Sequence, residues 1–133
     1  MAGTYIQTTD ITDMILNETG LSTVLSAKVD ASDDAVEDLA ESKGVEVDDI
    51  ETDPVHYLVK RYAIAWVGME LCFDALGKNN VEIADVEKYH IKYRHYKEMV
   101  KEFAERITSS MLNGSTSRQM DRANTISGVL FRN

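Results

Sequence analysis

Few residues in this chain have types and spacings that suggest chemistry. His90 and His95 stand five apart, on different faces of any helix, and no cysteine or carboxylate completes a zinc set around them. His56 is the third histidine, and all three read as structural or surface residues. Cys72 is the single cysteine and lies within "YLVKRYAIAWVGMELCFDALG" (57–77), the most apolar passage. A thiolate nucleophile needs an activating base or cation, so in this setting Cys72 is expected to be a small buried hydrophobe. Asp30, Ser32 and Asp34 alternate as in a calcium loop, but Ala35 occupies the place where the tight turn requires glycine. "EKYHIKYRHYKE" (87–98) interleaves Tyr89, Tyr93 and Tyr96 with Lys88, Lys92, Arg94 and Lys97, a mixture that can hold single-stranded nucleic acid. The three tyrosines nevertheless share one helical face, where packing with hydroxyls at the rim accounts for them. Carboxylates in "VDDIETD" (47–53) could pair as acid and base, yet such a run belongs more simply to a solvated loop. No HExxH, GxSxG, GxGxxG or phosphate-loop pattern occurs. Neither catalysis nor a cofactor nor a metal is expected.

The elements that would position these residues come from length, charge and periodicity. A chain of 133 residues, 44% hydrophobic and 28% charged, fits one globular domain with a real core and little room for a deep cleft. The net charge of −9 is divided unevenly. Residues 1–53 hold 14 Asp/Glu against 2 Lys, and residues 54–133 hold 9 Asp/Glu against 12 Lys/Arg. A chain so polarised presents two different faces, and its acidic half repels phosphates, which argues against a dedicated DNA binder. "MAGTYIQTTD" has neither the cationic start nor the apolar core of a signal peptide, and the lone cysteine suits a reducing site of synthesis.

Periodicity predicts helices throughout. Thr9 or Asp10 can cap a short helix from about Ile11 to Glu18, with Gly20 as its stop. "LSTVLSAKV" (21–29) fits a strand, a turn or an irregular connection. A second helix, capped by Asp30 or Ser32, carries the stripe Ala35, Val36, Leu39 and Ala40 and stops at Gly44. "VEVDDIETDP" (45–54) is an acidic connector. Pro54 suits the first turn of a third helix, Pro54–Leu76, with Asp53 as cap. Lys60, Arg61, Glu70 and Asp74 interrupt that helix too often for a membrane span. Its two apolar stripes, one through Leu58, Tyr62, Trp66, Met69 and Phe73 and one through Val55, Val59, Ala63, Val67 and Leu71, place it in the middle of a bundle. A fourth helix is expected from Val81 to Leu112, antiparallel to the third across "GKNN". At 1.5 Å per residue it would be about 48 Å long, so one end should project or meet another subunit. Residues 113–133, "NGSTSRQMDRANTISGVLFRN", break the pattern and carry a net +2 charge. The expected fold is all-α: a small helical bundle over residues 1–112, with a long C-terminal helix, and an extended C-terminal tail over 113–133.

A "TYIQTTDI" opening, an acidic helix, the "YLVKRYAIAWVGMELCFDALG" helix, a long charged helix and a detached tail occur in that order. The arrangement resembles the head–tail connector (adaptor) proteins of tailed bacteriophages. That resemblance implies a structural virion protein, made in the host cytoplasm, that forms a homo-oligomeric ring, a dodecamer, in the neck beneath the portal. It implies portal protein and stopper or tail-completion proteins as partners, genomic DNA passing through without specific binding, no membrane, and no catalytic residues. Carried over by position, residues 113–133 become the portal-docking arm. Ile126, Val129, Leu130 and Phe131 are then its apolar anchors, and Arg118, Arg122 and Arg132 meet acidic portal surface. Asp48, Asp49 and Glu51 are candidates for an acidic channel lining along which DNA slides without sticking. A reading of a different class is a regulatory helical module that binds a protein partner through its tail. A third is a small enzyme or nucleic-acid binder using the Tyr/Lys helix.

Overall fold

A computed structural model describes residues 3–13, 19–77 and 83–114. Every regular element among them is helical: α1 (Thr19–Ser42), α2 (Tyr57–Leu76), α3 (Ile83–Arg106) and the single turn α4 (Ser109–Leu112), with 3₁₀ turns at Thr8–Asp10 and Val47–Asp49. The expected all-α class is thus the observed one. Residues 115–133, the bulk of the expected tail, lie outside the described residues.

α2 packs on both α1 and α3, as its two stripes require. Lys28 of α1 reaches Asp74 of α2 (2.8 Å), while Asp38, ten residues further along α1, acts on Tyr62 of α2, so the two helices are antiparallel. Phe73 meets the Tyr93 ring at 5.8 Å between centroids, and Gly68 faces Tyr96, so α3 is antiparallel to α2 as well. Val59, Ala63, Ala65, Val67, Leu71 and Cys72 are all essentially inaccessible to solvent. No described helix is long and apolar enough to cross a membrane.

Several expected boundaries move. Ile11–Asp13 are not helical, residues 14–18 lie outside the described residues, and Gly20 is inside α1 rather than ending a helix. "LSTVLSAKV" is helical and continuous with the acidic segment, so neither Asp30 nor Ser32 is a cap. The reason is visible in the core line Leu25, Val29, Ser32, Val36 and Leu39, whose steps of four, three, four and three keep one face buried. Ser32 sits on that line fully buried and donates its hydroxyl hydrogen bond back to the Val29 carbonyl at 2.6 Å. Gly44 does end the helix, at φ +79°.

Pro54 precedes α2 rather than opening it. The Asp53–Pro54 bond is cis, and the cap is His56, whose Nδ1 accepts from the Leu58 N–H at 3.1 Å. Burial lowers the His56 pKa, which keeps this ring nitrogen able to accept. The fourth helix is also shorter than expected. α3 stops at Arg106, and Thr108, in an extended conformation, starts α4 by accepting from the Met111 N–H at 3.3 Å. At 24 residues α3 is about 36 Å long. The overreach that suggested a projecting end therefore disappears, and Ile107 and Leu112 turn back into the core.

Candidate functional site

The N-terminal segment is built into the molecule. Tyr5, Ile6 and Ile11 are buried against the helices, and Gly3 lies so close to α1 that a Cβ there would stand 3.0 Å from the Val29 carbonyl oxygen. The Thr4 N–H donates to both carboxylate oxygens of Asp33, at 2.9 and 3.0 Å. Burial first, then the charges of Glu37 and Asp33, pushes the Tyr5 phenol up to about 12.

Asp13 fastens the far end of this segment. Its Oδ2 accepts from the Tyr96 hydroxyl at 2.5 Å and pairs with the Lys92 ammonium at 3.0 Å, both on α3. Cys72 belongs to the same neighbourhood. Burial, aided by the Asp13 carboxylate and opposed by Lys92, raises its thiol to about 11. The cluster therefore holds a protonated phenol and a protonated thiol at neutral pH. It is suited to clamping three segments together, and its thiol is the opposite of an activated nucleophile. Among the described residues, no three His, Cys, Asp or Glu side chains gather as a metal set.

The tyrosine face of α3 is a packing face. Tyr89 and Tyr96 are buried, Tyr93 is half-buried against Phe73, and Lys88 and Lys97 lie over Tyr89 and Tyr93 at 5.0 and 5.9 Å. His90 and His95 are exposed and point to no common centre, while His90 is within 3.3 Å of Arg94.

The acidic connector meets the root of the C-terminal segment. Asp48 and Asp49 are exposed in the 3₁₀ turn, whereas Glu51 is half-buried and its Oε1 accepts from the Asp53 N–H at 2.9 Å. The Glu51 N–H donates to the Leu112 carbonyl at 2.8 Å. Gly114, at φ +77°, is so close that a Cβ would lie 2.9 Å from the Glu51 side chain. Glu51 is thus brought against Leu112 and Gly114, while Asp48 and Asp49 precede it by three and two residues in the exposed turn. Arg118, Arg122, Ile126, Val129, Leu130, Phe131 and Arg132 lie outside the described residues.

The N-terminal clamp was not apparent from the sequence. Its signal was the isolated apolar pair Tyr5–Ile6 ahead of Ile11, too short for any periodicity. Asp13 and Tyr96 are 83 residues apart, and no local pattern pairs them. Comparison with protein-family models, curated proteins and solved structures gives no match for this chain.

Proposed function

We propose that this chain is a structural protein of the tailed-phage neck, a ring-forming connector that joins the DNA-filled capsid to the tail and leaves a conduit for DNA. The observation that carries the reading is the fixed root of the C-terminal segment. The core closes with Leu112 as its last described member, and the Glu51–Leu112 hydrogen bond holds the point of departure beside an acidic connector. A segment that is basic and ends in Ile126, Val129, Leu130 and Phe131 then begins from a rigid base. Fixing one end of a docking segment lowers the ordering cost of binding. The uneven charge and the resemblance to head–tail connectors support the same reading, with Arg118, Arg122 and Arg132 as the portal-facing cations and Asp48 and Asp49 as channel-facing anions.

The test is removal of residues 115–133. The truncated chain should keep its helical circular dichroism and lose co-sedimentation with portal-bearing capsids. A truncated chain that still joins those capsids as well as the full chain rules out the docking arm.

A further inference from the structure

Two helix stripes on this molecule carry opposite charge at the same spacing. On α1, Asp30, Asp34, Glu37 and Glu41 recur at steps of four, three and four residues, and on α3 the cations Arg94, Lys97 and Lys101, preceded by the polar His90, recur at the same steps. Each stripe runs about 16 Å along its helix. Asp34 and Glu41 are exposed and Asp30 and Glu37 half-exposed, while all four members of the α3 stripe are exposed.

Among the described residues no ion pair engages either stripe: the pairs are Lys28 with Glu70 and Asp74, Lys92 with Asp13, and Arg106 with Glu102. Arg94 instead contacts His90, and Lys97 lies over the Tyr93 ring. Burial and the neighbouring charges of Asp34, Asp33 and Glu41 raise the Glu37 carboxyl above its ordinary value, although contact with the Tyr5 hydroxyl opposes this. Within one copy the two helices share little contact, because α1 and α3 each pack on α2 and not extensively on each other. Beside the basic stripe lies an apolar seam of Phe73, Tyr93, Met69 and Val100. Phe73 is 57% exposed and the other three are only partly buried. That seam can exclude water next to the cations and strengthen charge pairing there.

We propose that the acidic α1 stripe of one copy docks on the basic α3 stripe and Phe73 seam of the next. A second copy fits better than an unrelated acidic surface because one chain carries both halves at one spacing. It fits better than nucleic acid because a phosphate backbone would leave the acidic α1 stripe without a partner. The contact joins two different surfaces, so it is head-to-tail, and repeated copies form a ring where the rotation between them closes and a filament where it does not. It rests on the connector reading for that closure, and it names the surfaces involved.

The experiment uses full-length chains: wild type, Asp34→Lys/Glu41→Lys, and Arg94→Glu/Lys101→Glu, each first shown to keep wild-type helicity and melting. Sedimentation is followed from about 0.01 M salt, where charges act over about 30 Å, to about 1 M, where they act over about 3 Å. Wild type should self-associate as salt falls, and each reversed variant alone should associate at least about tenfold more weakly. An equimolar mixture of the two variants should recover association, since each then offers the other a complementary stripe. Wild-type chains that stay monomeric at low salt, or reversed variants that associate as wild type does, overturn the pairing. A short DNA duplex retained by wild type and released by Arg94→Glu/Lys101→Glu, without self-association, also overturns it and gives the stripe to nucleic acid. Binding to portal-bearing capsids is measured in parallel. Charge-dependent association without capsid binding leaves the pairing standing and removes the connector reading. Capsid-bound rings indifferent to the reversals do the converse.

Discussion

The Tyr96 hydroxyl donates to the Asp13 carboxylate at 2.5 Å, joining α3 to a segment 83 residues earlier in the chain. The same carboxylate oxygen takes Lys92, so one acceptor fastens the N-terminal segment at two points on consecutive turns of α3. A hydrogen bond to a charged group contributes about 1.5–3 kcal/mol, and here part of that is offset by solvent reaching the rim. Tyr96→Phe keeps the ring and removes only the donor. It should lower stability by about 1–2 kcal/mol in urea unfolding, with unchanged helicity. In an Asp13→Asn background the same substitution should cost less, because the charged acceptor is already gone. A cost equal in both backgrounds would show that the two groups do not act together.

Gly68 tests how firmly that clamp holds the ring. A Cβ at this position would stand 2.8 Å from carbon atoms of the Tyr96 ring. Alanine is intrinsically the better helix former by about 1 kcal/mol, so on an open helix face Gly68→Ala would stabilise. With Tyr96 anchored to Asp13 the ring has little freedom to retreat, and overpacking should prevail, for a net loss of about 1–3 kcal/mol. Placed on Tyr96→Ala, the same substitution should become neutral or favourable. Urea midpoints of the four chains decide it, and a stabilising Gly68→Ala in the wild-type background contradicts the crowding.

These two residues also mark where the sequence was legible and where it was not. Tyr96 was readable as a packing residue, because Tyr89, Tyr93 and Tyr96 share a helical face and two of the three are buried. Likewise the two stripes of α2 correctly implied neighbours on both sides. Ser32 misled, since a polar residue on an otherwise apolar line resembles a cap until its hydroxyl finds the Val29 carbonyl. Ile107 hid the end of α3 because its burial continues the periodicity, while Thr108 beside it breaks the backbone. The N-terminal clamp depends on Asp33 and Asp13 meeting distant backbone and side-chain donors, and tertiary contacts of that kind leave no local period. Of the candidate functional residues, Asp48 and Asp49 are exposed as a solvated connector requires, and Glu51 is half-buried with its carboxylate accepting from the Asp53 N–H.

Alkaline pH should undo this fold in a defined order. Burial raises the Cys72 thiol to about 11 and the Tyr5 phenol to about 12, and the Tyr62 and Tyr96 phenols are shifted upward by the same cause. The unfolded chain releases these protons at their ordinary values of 9.0 for cysteine and 10.0 for tyrosine, while the folded chain still holds them. Protons bound then favour the native state, so the stabilisation is complete below about pH 9 and is lost as pH rises through the folded values. Each group can contribute a slope of up to about 1.4 kcal/mol per pH unit within its window. The urea midpoint should hold steady from pH 7 to 9 and fall progressively above it. Tyr5→Phe should make the fall between pH 10 and 12 shallower. A midpoint that stays flat to pH 11 would mean that these groups are solvated in the folded chain.

Leu112 links stability to the proposed docking. It is fully buried, ends α4, and offers the carbonyl that receives the Glu51 N–H. Leu112→Ala should cost about 2–5 kcal/mol as a core truncation. Thr108→Ala, which removes only the α4 cap, should cost about 0.5–2 kcal/mol. If the C-terminal segment works because its root is fixed, both variants should weaken capsid binding although residues 115–133 are intact, and Leu112→Ala should weaken it more. The comparison is made at a temperature where both remain folded by circular dichroism, so loss of the domain cannot imitate loss of the root. Capsid binding unchanged in a folded but destabilised Leu112→Ala chain would show that the segment docks without help from its anchorage. The Glu51–Leu112 hydrogen bond would then serve the core alone.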